Sequence, residues 1–225
     1  KPLDAVIHAG ASVPGPEQLT ASQMFAANVT ATVCIGEWAF KKQIPLVYLS
    51  GAVVYQDEGS TGIDETAPVS PSGFGGFYRT TKLLGEQALT GLADDNSRLV
   101  ILRPSSIYGE GLATGKMIDR FLCSARSAET IEITPPWNDQ IDMVHAADVA
   151  TAALQAIEAS AKGVFNIGGC RHTIEDIANA CVSAASSGHV VRTGKAKKGH
   201  KPFIRFGIDS SKAAASFGYR PSIGL

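Results

Sequence analysis

Short apolar runs, each followed by a longer stretch with helical spacing, alternate from the start of this chain, and that rhythm narrows the fold more than any other feature. Asp4 to His8 reads as a strand ending in the turn-forming Ala9-Gly10-Ala11. Between Ala21 and Lys42, Phe25, Val29 and Val33 recur every four residues and Phe40 follows seven later, a helical period. Pro45 stops that helix, and Leu46-Val47-Tyr48-Leu49 is a strand. A loop rich in Gly, Ser and Pro runs from Gln56 to Phe77, a helix from Tyr78 to Leu92, a strand over Leu99–Leu102 and a loop from Pro104 to Gly115. The strands are unbroken apolar runs without alternation, as expected when both faces of a sheet are buried. The expected fold is therefore α/β, a doubly wound parallel sheet of the Rossmann-like kind. Ligands in such sheets sit beyond the carboxyl ends of the strands, which directs attention to His8, Ser50 and Pro104 to Ser106.

After Gly115 the rhythm loosens. Ile131-Glu132-Ile133 reads as a strand, Val149–Ile157 as a helix and Gly163–Ile167 as a strand. Thr173 to Ala185 is a helix with Thr173 as N-cap and Asp176 three residues on. Lys195 to Lys201 is a basic stretch, and a short helix follows Asp209. The expected division is residues 1–115 as the dinucleotide-binding part and 116–225 as mostly a small substrate lobe, with some segments returning to the sheet. A net charge of −1 gives no support for a nucleic-acid partner, and no apolar run is long enough to span a bilayer. Cys34, Cys123, Cys170 and Cys181 lack metal or redox spacing, so no metal site is expected and the setting is read as cytoplasmic.

The sharpest local signal is Tyr78-Arg79-Thr80-Thr81-Lys82. Residues i and i+4 of a helix share a face, so Tyr78 and Lys82 can point into one cleft. A phenol is a poor base at neutral pH, and a nearby ammonium favours its ionised form. The pair therefore reads as a proton donor and acceptor for an alcohol/carbonyl interconversion, with the pKa of Tyr78 expected to be lowered.

Further segments stand in order around that pair: Asp4 to Ala11, Asn28-Val29-Thr30-Ala31-Thr32, Val47 to Tyr55, Leu102 to Gly109, Asp142 to Val149, Val164 to Gly168, and Asp209 to Gly218. Together with Tyr78 and Lys82 they resemble the NAD-dependent epimerase/dehydratase family, the extended short-chain dehydrogenases, over nearly the whole chain. The resemblance implies a nicotinamide cofactor, NAD or NADP, held by His8, Ala9, Gly10, Ala11, Asn28, Leu49, Tyr78, Lys82, Pro104 and Ser105. It implies catalysis by Tyr78 and Lys82 with a hydroxyl from Ser50, and substrate contacts at Gly51, Ala52 and Ser106. It implies a small-molecule substrate, a nucleotide sugar or a related secondary alcohol or carbonyl, and a homodimer as the assembly. Alternatives are a reductase of non-sugar carbonyls, or a catalytically weak member acting as a binding module.

The family's first strand and Gly-rich phosphate-binding turn are not in these residues, so a preceding segment is expected to carry them. Gly51 stands where the family places a Ser or Thr. Neighbours on a strand face opposite ways, so Ser50 is expected to reach the substrate only if the strand end kinks at Gly51; Thr81 and Ser105 are other candidate hydroxyls. Sugar-nucleotide members often carry an Arg where this chain has Ile141. His145 reads as a packing or hydrogen-bonding residue, and Trp137, beside Pro135-Pro136, as a candidate wall of the substrate cleft.

Overall fold

A computed structural model describes residues 3–14, 19–56, 59–111, 115–195 and 203–225. Of the basic stretch Lys195 to Lys201, only Lys195 falls within them. In chain order the elements begin with β1 (Val6–His8), α1 (Ala21–Phe25), a π-helical turn (Ala26–Thr30), α2 (Ala31–Lys41), β2 (Leu46–Leu49), a 3₁₀ turn (Ala52–Val54) and β3 (Thr61–Ile63). Then come α3 (Phe77–Leu92), β4 (Leu99–Pro104), β5 (Ser106–Tyr108), α4 (Met117–Arg126), β6 (Thr130–Ile133), β7 (Gln140–His145) and α5 (Ala146–Glu158). The chain closes with β8 (Gly163–Ile167), β9 (Cys170–Thr173), α6 (Ile174–Ala185), β10 (His189–Arg192), β11 (Ile204–Arg205), β12 (Gly207–Ile208) and α7 (Ser211–Phe217).

The main sheet has the order β1-β2-β4-β8, and every pairing in it is parallel. Side chains alternate across it. Leu46 and Tyr48 of β2 join Leu99 and Ile101 of β4, packed with Ala39 of α2 and Leu89 of α3. Val47, Val100 and Leu102 face the other way, onto Val149, Ala152 and Ala156 of α5 and Ala213 of α7. Both faces are thus covered by helices, which is why the strands carry no alternation: fully burying each such side chain is worth about 1.5–3 kcal/mol.

The periodic stretch from Ala21 is not one uniform helix. The π turn inserts at Ala26–Thr30 and coincides with the burial of Asn28. The Asn28 amide donates to Ser12 O at 2.9 Å and Thr81 Oγ1 at 3.0 Å and accepts from Ser12 N at 2.6 Å. A polar side chain buried that deeply needs such partners, and π turns recur where a side chain must be re-aimed. Two segments read as loops also contain strands. The 56–77 segment holds β3, paired in parallel with β12, and the segment after Pro104 holds β5, paired with β7.

Around the main sheet, β7 pairs with β5, β11 and, antiparallel, β9, while β6 pairs with β10. Ala125 of α4 and Ala178 of α6 pack on Ile131 and Ile133 of β6. Thr173 caps α6 in a reciprocal capping box with Asp176. Trp137 belongs to this smaller core rather than to the cleft. Its Nε1 donates to Ile133 O at 3.2 Å and its ring lies under the Arg192 guanidinium. The expectation for Trp137 failed because adjacent prolines report a turn, not the direction of the ring beside it. No described helix is long and apolar enough to cross a membrane.

Two glycines of α3 test the packing directly. A Cβ on Gly85 would overlap the hydroxyl of fully buried Tyr48, whereas a Cβ on Gly91 would meet nothing within 4 Å. Gly85→Ala is expected to destabilise the fold by about 1–3 kcal/mol through overpacking. Gly91→Ala is expected to stabilise it by up to about 1 kcal/mol through helix propensity. Urea unfolding of both variants checks the opposite signs.

Candidate active site

Helix α3 starts just beyond the ends of β2 and β4, and its first turn is fixed by the preceding loop. Gly75 (φ 90°) and Gly76 (φ 53°) make the turn in a region that other residues avoid, and a Cβ on Gly75 would press on Val53 at 2.8 Å. Arg79, fully buried, donates from Nε to Ser70 O at 2.7 Å and from its terminal nitrogen to Tyr55 O. Thr80 Oγ1 donates to Pro71 O at 2.8 Å. These bonds pin residues 70–76 against α3 and hold half-buried Tyr78 on the wall of a cleft of about 740 Å³.

One turn further on, Lys82 is 2% exposed. Its Nζ donates to Leu49 O at 2.5 Å, at the end of β2, and stands 4.3 Å from the centre of the Tyr48 ring. Burial lowers its pKa to about 8, with Glu86, one turn beyond, opposing that shift. Glu86 is itself gripped by Arg103 at 3.0 and 2.6 Å, and the Arg103 guanidinium lies over the Tyr55 ring at 4.8 Å. The Tyr55 hydroxyl donates to Asn166 Oδ1 at 2.7 Å, tying this network to β8.

Burial raises the pKa of Tyr78. That is opposite to the expected lowering. Lys82 is committed to the Leu49 carbonyl and the Tyr48 ring, and loss of solvation around the phenol sets the direction. In this arrangement Tyr78 is a neutral phenol at pH 7 and stands ready to give a proton.

Ser50, Gly51, Ala52, Tyr78, Pro104, Ser105 and Ser106 all line the cleft. Ser50 is 6% exposed, and its Oγ has no hydrogen-bond partner among the described residues. A buried hydroxyl left unpaired is costly, and its position marks where a ligand atom could bind. The expected kink at Gly51 is absent. Its φ of 174° is extended backbone open to any residue, and a Cβ there would make only ordinary contacts, the nearest to Val53 at 3.6 Å. What brings Ser50 to the cleft is the end of β2 at Leu49 and the 3₁₀ turn that follows, not glycine's freedom.

Other expected residues lie off the cleft. His8 ends β1, with Nε2 2.8 Å from Thr32 Oγ1, and burial lowers its pKa. Ala9 and Gly10 are exposed and Ala11 is half-buried just past β1. Asn28 bridges Ser12 and Thr81; Leu49 offers its carbonyl to Lys82. Thr81 Oγ1 donates to Tyr78 O inside α3. His145 caps α5, accepting from Ala147 N, and its ring packs edge-on to Tyr108. Sequence reasoning missed most of the cleft walls: Val13, Phe74, Met117, Ile118, Met143 and Phe206, with Lys116 and Arg205. One signal was available, since Ile118, Leu122 and Ala125 already mark an apolar face on α4.

The family model for the NAD dependent epimerase/dehydratase family matches residues 1–168. The chain belongs to this family. Among solved structures, the UDP-N-acetylglucosamine 4-epimerase of Bacillus cereus superposes with a TM-score of 0.83 at 22% identity, covering 99% of this chain and 73% of that one. The UDP-glucuronic acid 4-epimerase of the same species, in complex with NAD, gives 0.81 at 21% identity, covering 99% and 70%. At these identities the likeness is one of fold. By sequence, the chain is 29% identical over 182 residues to the polyketide synthase-nonribosomal peptide synthetase ACE1 of Pyricularia oryzae; the match takes in 76% of this chain and 4% of that protein. It is 29% identical over 157 residues to the probable low-salt glycan biosynthesis reductase Agl14 of Haloferax volcanii, which takes in 68% of this chain and 47% of that one.

The residues present fit the family's cofactor. The cleft opens at the ends of β2 and β4, as dinucleotide sites in doubly wound sheets do. The unpaired Ser50 hydroxyl and the Tyr78 phenol supply hydrogen-bonding groups on that cleft, while the buried Lys82 ammonium lies off it, bonded to Leu49 O.

Lys82 gives a pH test of this geometry. Its folded pKa, about 8, lies below its ordinary 10.5, so between those values the unfolded chain holds more protons than the folded one. Stability gains from this group as pH rises through that window, by about 1.4 kcal/mol per unit of separation, or about 3 kcal/mol in all. Relative to Lys82→Met, the parent chain is expected to become more stable between pH 8 and 10.5, read by urea unfolding at each pH.

Proposed function

We propose that this chain acts in an NAD(P)-dependent oxidoreductase or epimerase that interconverts a secondary alcohol and a carbonyl. The observation that carries the reading is the placement of a half-buried Tyr78 phenol and an unpaired Ser50 hydroxyl on one cleft at the ends of the parallel strands. When bound, the nicotinamide supplies or accepts the hydride.

In the reducing direction Tyr78 gives its phenolic proton to the substrate oxygen as the carbonyl becomes an alcohol; in the oxidising direction it takes that proton back. The Ser50 hydroxyl donates to the same oxygen while negative charge builds on it. Lys82 positions the end of β2 through the Leu49 carbonyl. The neutral state of Tyr78 suits proton donation, and so carbonyl reduction, at pH 7. A cytoplasmic setting, where NAD(P)H and reduced cysteines coexist, accords with this chemistry.

Two substrate classes fit the reading. Fold likeness to nucleotide-sugar epimerases supports a nucleotide sugar or a related compound. A non-sugar carbonyl is favoured by Ile141, which lines the cleft as an apolar side chain. A role as a non-catalytic binding module is opposed by the intact placement of Tyr78, Lys82 and Ser50.

In the full-length protein Tyr78→Phe is expected to lower turnover by at least about 100-fold while NAD(H) binding survives. Ser50→Ala is expected to lower it by about 100-fold. NADH oxidation at saturating cofactor, with calorimetry of cofactor binding alongside, checks both; near-normal turnover in Tyr78→Phe would remove it from the mechanism.

A further inference from the structure

The walls of the cleft carry information that the catalytic residues do not. Around the floor formed by Ser50 and Tyr78 stand Val53, Ile107, Met117, Ile118, Ile141 and Met143, contributed by four separate parts of the chain. Phe74 and Phe206 close one side, with ring centres 6.0 Å apart. The polar side chains among the described lining residues are Ser50, Ser105, Ser106 and Tyr78, with Lys116 and Arg205 as the cations. Among those described residues there is no Asp, Glu, Asn, Gln, His or Thr.

That composition selects chemistry. A polyhydroxylated ring presents several donors and acceptors, and each one desolvated against an apolar wall without a partner opposes binding. Carboxylates and side-chain amides are the groups that answer such hydroxyls, since they accept and donate in fixed directions. The serines and Tyr78 lie at the floor, where the reacting oxygen is engaged, and leave the walls apolar. Of the two cations, Lys116 Nζ donates to Pro14 O at 3.3 Å, and the Arg205 guanidinium stacks on Phe74 at 4.1 Å and Phe203 at 5.3 Å. Methionine and branched aliphatic side chains instead reward an apolar body by burying it, and methionine adapts to its shape.

We propose that the substrate of this cleft is a ketone or secondary alcohol whose reacting carbon carries an apolar alkyl or aryl body, held by the wall from Val53 to Met143 and the Phe74–Phe206 pair. This rests on the reading of the site as an alcohol/carbonyl oxidoreductase and narrows it to the non-sugar class. Reduction of such a ketone balances as one hydride from NAD(P)H to the carbonyl carbon and one proton from Tyr78 to its oxygen. The products are the alcohol and NAD(P)⁺, and solvent returns the proton to Tyr78.

The test uses the full-length protein saturated with NADH. Calorimetry measures binding of 4-phenyl-2-butanone and of UDP-glucose, and NADH oxidation follows turnover of the ketone. The ketone is expected to bind at least about 10-fold more tightly than UDP-glucose. Ile107→Asn and Met117→Gln, both at partly exposed wall positions, are expected to weaken it about 5–10-fold with unchanged melting temperature. Equal or tighter binding of UDP-glucose, no measurable ketone binding at millimolar concentration, or unchanged ketone affinity in both wall variants would overturn the proposal. Ketone-selective binding without NADH consumption would leave the substrate class standing and remove the oxidoreductase reading instead.

Discussion

A buried ammonium, that of Lys82, is the constraint from which most of the cleft follows. Taking such a charge out of water is expensive unless oriented dipoles and opposite charge surround it. Here the Leu49 carbonyl, the face of Tyr48 and the carboxylate of Glu86 share that task. Each draws in a further element. Tyr48 reaches α3 only because Gly85 leaves room for its hydroxyl. Glu86 is held by Arg103 of β4, Arg103 packs on Tyr55, and Tyr55 bonds to Asn166 of β8. The Asn166 amide then donates to Ile63 O and Asp209 O, so one charge ties α3 to three strands of the sheet and to the segment before α7. Tyr78, one turn back from Lys82, takes its place on the cleft as a consequence.

Much of this was legible in the sequence because the apolar pattern reports burial. The unbroken runs Leu46–Leu49 and Leu99–Leu102 mark strands covered on both faces, and the doubly wound parallel sheet follows from them. The i, i+4 spacing of Tyr78 and Lys82 sets them one turn apart on α3, but only Tyr78 lines the cleft, with Lys82 buried on the Leu49 carbonyl. What the pattern omits is the third dimension. Gly51 invites an argument from conformational freedom, yet its backbone is extended, and Ser50 reaches the cleft through a turn that any residue could make. Tyr78 next to a lysine suggests a lowered pKa, yet desolvation reverses the sign, a quantity no spacing reveals. The cleft walls come from residues as distant as Val13 and Phe206, brought together by β5, α4, β7 and β11, of which the sequence rhythm announced little.

The same fold therefore carries two separable messages. The floor, with Ser50 and Tyr78, carries the proposed chemistry. The walls, drawn from segments on both sides of Pro104, carry the proposed substrate preference. The chain belongs to the NAD-dependent epimerase/dehydratase family, and the described walls of its cleft are mostly apolar.

At the centre of this account is a Tyr78 that is a neutral proton donor because the cleft desolvates it. Carbon-13 NMR of the ring carbon bearing the hydroxyl, assigned to Tyr78 by comparison with Tyr78→Phe, reads that proton directly as pH is raised. The account predicts a midpoint above 10.0, the ordinary value for a tyrosine. A midpoint below 10.0 would show that the buried lysine, not desolvation, governs the phenol and would contradict the account.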